Sequence, residues 1–302
     1  MSAAPIDIFL TGGDGQVGTE LRRQAPPHWR ITAPDEHELD LTDIEATRAA
    51  VASNPWSAVI NAAAYTAVDK AESDPVTAWR INALAPAALA EATAKADVPL
   101  IHISTDYVFS GDKSGFYVED DPIGPQGVYG ASKAGGELAV RTSNPRHVIL
   151  RTAWLVSPHG NNFVKTMLRL GAERSAMRIV HDQRGCPTSA GDLAAAIITI
   201  TERLIADPEA PRGLYHFVNS GEASWCEFAR AIFAMAEPYG RTPPSVEAIT
   251  AAEYPTPARR PANSRLSTDA LRRDFAIAPR PWPEAMEEVV AQLLKPTQGS
   301  GH

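Results

Sequence analysis

The sequence predicts an α/β chain built on a doubly wound parallel sheet, followed by a smaller α/β domain, and three observations carry that prediction. An apolar run at residues 6–10 passes directly into the glycine-rich stretch 11–18 and then into a helix-like segment. Strand-like and helix-like segments then alternate up to Trp154. Beyond Trp154 the elements become shorter and the loops longer. Strand, glycine turn and helix in that order open a dinucleotide-binding unit, and the alternation places parallel strands between crossover helices. The expected architecture is therefore Rossmann-type. Residues 1–155 form the dinucleotide-binding domain, elements near 190–220 return to it, and residues 156–302 are mainly a substrate-binding domain.

Composition narrows the function classes. A chain of 302 residues, 44% hydrophobic and 21% charged, is an ordinary globular protein that buries a large core. A net charge of -8 argues against a nucleic-acid surface. Cys186 and Cys226 stand far apart, without the spacing of a disulfide framework or a zinc site. No apolar run is long enough to span a membrane, and residues 1–5 lack the pattern of a signal peptide, so the expected location is the cytoplasm.

Gly12, Gly15 and Gly18 keep the spacing G-x-x-G-x-x-G, which leaves the middle position bare where a pyrophosphate approaches a helix amino terminus. Residues 29–33 form the second strand, and Thr42 or Asp43 caps the next helix. The acidic side chain that would grip an adenine ribose falls near residues 32–35; Asp35 is the candidate and Arg30 the nearest cation, which leaves NADH and NADPH both open. The third strand, 57–60, ends in Asn61-Ala62-Ala63-Ala64-Tyr65-Thr66, small residues that let a ring or ribose lie close or simply pack a helix on the sheet. Residues 76–96 form one long helix interrupted by Pro86, which demands a kink or a first-turn position. The fourth strand, 98–103, carries His102 as a hydrogen-bonded core residue and delivers Ser104, Thr105, Asp106 and Tyr107 to the carboxyl edge. A Gly-, Asp- and Pro-rich loop, 110–127, precedes a helix containing Tyr129 and Lys133, and 147–152 is the fifth strand. Later come helices capped at 161–162 and at Ser224, a helix opened by Gly191-Asp192, strands near 178–180 and 213–219, a proline-rich stretch at 254–261 and a last helix from 282. The two termini are expected to be disordered.

Tyr129 and Lys133 stand four apart, so on a helix phenol and ammonium share one face. Such a pair is usually a solvated helix contact. Beside a dinucleotide site it acquires a use, because a fixed cation lowers the phenol pKa and equips Tyr129 for acid-base catalysis.

Together, the glycine turn, Asn61 to Asp69, Ser104-Thr105-Asp106-Tyr107-Val108-Phe109, Tyr129-x-x-x-Lys133 and Arg151-Thr152-Ala153-Trp154 resemble the extended short-chain dehydrogenases/reductases, and within them the dTDP-4-dehydrorhamnose reductase family. Residues 39–43, 183–188 and 260–264 also match, so the resemblance spans nearly the whole chain. It implies reduction, by NADPH or NADH, of the C4 ketone of a dTDP-sugar. Tyr129 would give the proton, Thr105 would hold the carbonyl oxygen, and Lys133 would lower the Tyr129 pKa and bind the nicotinamide ribose. Gly12, Gly15, Gln16, Val17 and Gly18 would face the pyrophosphate, Asp40 and Leu41 the adenine, and Ala63, Ala64 and Tyr65 the adenosine and ribose. Asp106, Tyr107 and Trp154 would contact the sugar, and Arg260 would clamp a diphosphate or form a surface ion pair. The resemblance also brings a magnesium ion at a contact between two copies in a homodimer, with no carboxylate spacing here to locate it. An epimerase or dehydratase of the same fold would use the same Tyr-Lys pair, although Thr105-Asp106-Tyr107 lacks a dehydratase's acidic pair. A non-catalytic regulatory subunit of methionine adenosyltransferase is the reading from another class.

Overall fold

The computed structural model describes residues 5–295. The expected disorder of the termini concerns residues outside that range. The first half of the chain is β1 (Ile6–Thr11), α1 (Gln16–Gln24), β2 (Trp29–Thr32), α2 (Ile44–Ala52), β3 (Ala58–Asn61), α3 (Val68–Ala71), α4 (Pro75–Trp79), α5 (Ala85–Lys95), β4 (Leu100–Thr105), α6 (Val128–Ser143) and β5 (His147–Thr152). The second half contributes β6 (Leu155–Val156), α7 (Phe163–Glu173), β7 (Ala176–Val180), β8 (Arg184–Gly185), β9 (Thr188–Ser189), α8 (Ala190–Ala206), β10 (Gly213–His216), β11 (Ala223–Ser224), α9 (Trp225–Ala236), β12 (Ser245–Ile249), α10 (Asp269–Phe275) and α11 (Trp282–Leu294).

Six strands form one sheet in the order β10-β5-β4-β3-β1-β2, and every pairing in it is parallel. The chain builds outward from β1 through β2, then crosses back to lay β3 on the other side of β1. At such a reversal the crossover connections diverge and leave a crevice at the carboxyl ends. Both faces of the sheet are covered, so the central strands read as continuous apolar runs. One face packs Ile8, Leu10, Ile60, Ile101 and Leu150 against α1 and α8; the other packs Phe9, Val59, Leu100 and Ile149 against α2, α5 and Val140 of α6.

Residues 76–96 do not form one uninterrupted α-helix. Between α4 and α5 the backbone widens into a π turn, Arg80–Leu84, and Pro86 falls in the first turn of α5. Proline has no N–H to give to the preceding turn, and the wider spacing absorbs that deficit without breaking the rod.

A second core gathers Val164 and Met167 of α7, Phe228, Ile232 and Phe233 of α9, and Met286 and Val290 of α11. Helix α9 starts at a reciprocal capping box of Ser224 and Glu227. The two cores meet across a small cluster that includes Val108, Phe109, Tyr117, Ala153 and Val218, directly behind the carboxyl ends of β4 and β5.

Candidate active site

The glycine turn follows β1 with the geometry a phosphate cradle requires. Gly12 has φ +74°, and a side chain there would lie 2.6 Å from the Ala63 backbone nitrogen at the end of β3. A methyl on Gly18 would collide with the Gly12 carbonyl, so both positions are bare because backbone runs against backbone. Gly15 is different: a Cβ there meets only the Gly12 oxygen, at 3.3 Å. Gly15 is also the N-cap of α1, with no side-chain cap and no acidic residue in the first turn. First-turn amides, Val17 among them, are thus left to an outside acceptor, and this fits the pyrophosphate of a dinucleotide. The side chain of Gln16 turns elsewhere, accepting hydrogen bonds from Ser157 and Asn162, both at 2.9 Å, and so ties the cradle to the second core.

Around the adenine end several expected partners are already engaged. Arg30 makes a two-pronged ion pair with Asp7, Asp35 accepts from the His37 and Glu38 amides, and Asp40 accepts from the Thr42 amide and hydroxyl. Asp40 is exposed and Leu41 half-buried beside it. Ala63 and Ala64 lie at the end of β3, where the Ala63 amide donates to Asn61. Tyr65 donates its hydroxyl to Asp74 at 3.2 Å, and its amide donates to Asn82 at 2.8 Å.

On α6, Tyr129 and Lys133 occupy one face, and Gly130 lets the helix approach the Tyr107 carbonyl. Tyr129 lies edge-on to Tyr107, ring centroids 5.5 Å apart. The effect of Lys133 on the phenol differs from the sequence expectation. Burial pushes Tyr129 up to about 12, and only the Thr105 hydroxyl pulls the other way. The Lys133 ammonium is itself buried, donates to the Ile103 carbonyl at 2.6 Å, and is pushed down to about 8 by desolvation. Losing water, with the Asp106 charge beside it, outweighs the Thr105 hydrogen bond, so the phenol rests in its proton-bearing form.

Thr105 ends β4 and caps the short 3-10 turn Asp106–Val108. Its hydroxyl accepts from the Tyr107 amide at 3.2 Å and donates to Asp106 Oδ1 at 2.9 Å. Asp106 is 2% exposed, and burial lifts its carboxyl to about 6 against the pull of the Ser264 and Thr105 hydroxyls. Burial likewise raises the Tyr107 phenol.

Two expected substrate contacts are held differently from expectation. Trp154 adopts a left-handed φ of +48° and stacks on Trp225 with ring centroids 3.5 Å apart. Gly185 packs so closely on its indole that a Cβ there would overlap the ring, so the free apolar face expected for a pyranose is largely covered. Arg260 forms a two-pronged pair with Asp69, at 2.8 and 3.1 Å, and is the ion pair rather than an open clamp. It still lies close enough to Tyr107 for the two to influence each other's titration.

Sequence reasoning missed the buried support under the site. Glu137 takes a two-pronged contact from Arg151, at 2.7 and 2.8 Å, and a 2.5 Å hydrogen bond from Ser104. Tyr129, Lys133 and Glu137 stand at successive intervals of four, a signal that was present on the helix face. Also missed is Thr11–Asn61–His102, in which Asn61 bonds His102 Nδ1 at 3.0 Å. The other nitrogen of His102 has no protein partner, so the core histidine is only half satisfied. Among the described residues no group of three or more His, Cys, Asp or Glu side chains is placed to hold a metal. The expected magnesium ion therefore has no site located among the described residues. No helix is long and apolar enough to cross a membrane among these residues.

Comparison with known proteins shows the family to which the chain belongs. A family model described as the RmlD substrate binding domain matches residues 6–295. A dTDP-4-dehydrorhamnose reductase of Sinorhizobium fredii is 47% identical over 292 residues, 95% of this chain and 97% of that protein. The crystal structure of a dTDP-4-dehydrorhamnose reductase from Clostridium acetobutylicum superposes with a TM-score of 0.89 at 36% identity, covering 95% of this chain and 99% of the other. That of the Bacillus anthracis reductase in complex with NADP gives a TM-score of 0.88, also at 36% identity, with the same coverage.

Proposed function

The chain belongs to the RmlD substrate binding domain family of dTDP-4-dehydrorhamnose reductases, and from that premise we propose that it reduces the C4 ketone of dTDP-4-dehydro-L-rhamnose to give dTDP-L-rhamnose, using NADPH or NADH. The observation that carries the reading is the meeting of Thr105, Tyr129 and Lys133 at the carboxyl end of β4, across the switch point from an open helix amino terminus. The nicotinamide supplies the hydride.

The remaining chemistry belongs to side chains of this protein. A phenol near 12 stays protonated through the neutral range, which suits a donor that must protonate an oxyanion as it forms. Thr105 offers a second hydrogen bond to the same oxygen. Once Tyr129 has given up its proton, the Lys133 ammonium one turn away stabilises the phenolate. The Ile103 carbonyl holds Lys133 in place, and the Glu137 carboxylate favours its charged form. Tyr107 supplies a polar contact on the sugar side, while the buried Asp106 carboxyl faces it only through Thr105. Arg260 reaches a diphosphate by exchanging Asp69 for it, and Trp154 presents to the sugar only the rim left free by Trp225 and Gly185. We place the reaction in the cytoplasm, in keeping with two buried free cysteines.

Oxidation of NADPH and of NADH, followed by absorbance with dTDP-4-dehydro-L-rhamnose as substrate, tests the assignment. The expected outcome is turnover with dTDP-L-rhamnose as product. Nicotinamide binding without any oxidation would reject it.

A further inference from the structure

Thr105 has one hydroxyl proton and two claims on it. In the structure that proton goes to Asp106 Oδ1, 2.9 Å away, while the same oxygen accepts the Tyr107 amide. A ketone oxygen arriving between Thr105 and Tyr129 would then receive a hydrogen bond from the phenol alone. Asp106 carries a second irregularity. Its other carboxyl oxygen, Oδ2, is buried and makes no hydrogen bond of ordinary geometry, although the Ser264 hydroxyl lies close enough to favour the ionised form. An unpaired carboxylate oxygen shut away from water is costly, and a proton placed on that group relieves the cost.

Resting on the reductase reading above, we propose that Asp106 is a positioning residue for Thr105. Ionised, it holds the threonine proton; protonated, it donates to the Thr105 oxygen and releases that proton toward the substrate oxygen. The step is a proton exchange with solvent followed by rotation of one hydroxyl, and no other bond changes.

The surroundings favour such a switch. Tyr129 of α6, Tyr107 of the same turn and Cys186 after β8 face Asp106, and none supplies a positive charge to hold it ionised. Arg260, beside Tyr107, is already paired with Asp69. The Lys133 ammonium is bonded to Ile103 instead. Burial is what lifts the carboxyl, to about 6, with no cation there to pull it back.

The test is a carboxyl carbon NMR titration of the full chain labelled at aspartate, between about pH 4 and pH 8, with Asp106 assigned by its absence in Asp106→Asn. An inflection near 6 is expected. Losing one hydrogen bond to the charged form in Thr105→Val should move it up by about one unit, and Thr105→Ser should restore it. An inflection that ignores Thr105→Val, or none in that range, overturns the proposal. In turnover, kcat/KM of the wild type should be about tenfold higher below the inflection than above it, the worth of one oxyanion hydrogen bond. Asp106→Asn should give a flat profile, and a variant that kept the wild-type inflection would also overturn the idea. If the wild type turns over no ketosugar at any pH, the reductase reading fails, while the NMR titration still decides whether the two side chains are coupled.

Discussion

On the sheet side of the cleft Lys133, Glu137 and Arg151 are almost wholly buried and take their partners from β4, β5 and α6. On the opposite side Arg260 pairs with Asp69, a carboxylate that water also reaches. The Arg151–Glu137 pair is 3% and 4% exposed; the Arg260–Asp69 pair is 27% and 41% exposed. This difference separates two tasks. Groups that must hold a proton at one point are locked by desolvation and backbone, at a cost in stability. Arg260, proposed above to meet the diphosphate, is held by an ion pair that trades partners for little energy.

The comparison can be broken at several places. The largest effect expected is on turnover: Tyr129→Phe removes the proton donor and should slow reduction by about 10²–10⁴-fold, with thermal unfolding near wild type. A smaller loss would return the proton donation to another group. Next, Glu137→Gln leaves the Arg151 guanidinium buried without a counter-charge, and urea unfolding should show a loss of about 3–5 kcal/mol. If the loss were below about 1 kcal/mol, the buried side would be no different from the exposed one.

Lys133 allows a test by pH. Its folded pKa, about 8, lies below the ordinary 10.5, so between those values the unfolded chain binds more protons. Stability should therefore rise with pH across that window, by up to about 3 kcal/mol relative to Lys133→Met. Parallel stability curves for the two proteins would show that the ammonium is not desolvated. The smallest effect belongs to the exposed side. Arg260→Ala should change stability by less than about 1 kcal/mol while raising KM for the nucleotide sugar, and Asp69→Ala should not raise it. Equal rises in KM for both would mean that the ion pair itself, not the arginine, meets the substrate.

How far the site was legible follows the same division. The glycine turn, Thr105 and the Tyr129–Lys133 spacing are local patterns, and each implies its position because it follows a strand or rides one helix face. Glu137 was legible by the same interval of four and was passed over. Asp69 opposite Arg260, Trp225 against Trp154, and the Ile103 carbonyl under Lys133 involve separations no local pattern spans.

The sequence by itself determined the alternation of strands and helices, the bare glycines of the cradle and the identity of the residues at the carboxyl edge. It did so because strand periodicity, turn stereochemistry and helix spacing act over a few residues. Tertiary structure decided the charge states. Whether Tyr129 sits above or below its ordinary pKa, whether Asp106 is ionised and whether Arg260 is free depend on how much water is excluded and on which distant partner arrives. Desolvation and pairing exist only once the two cores close against each other.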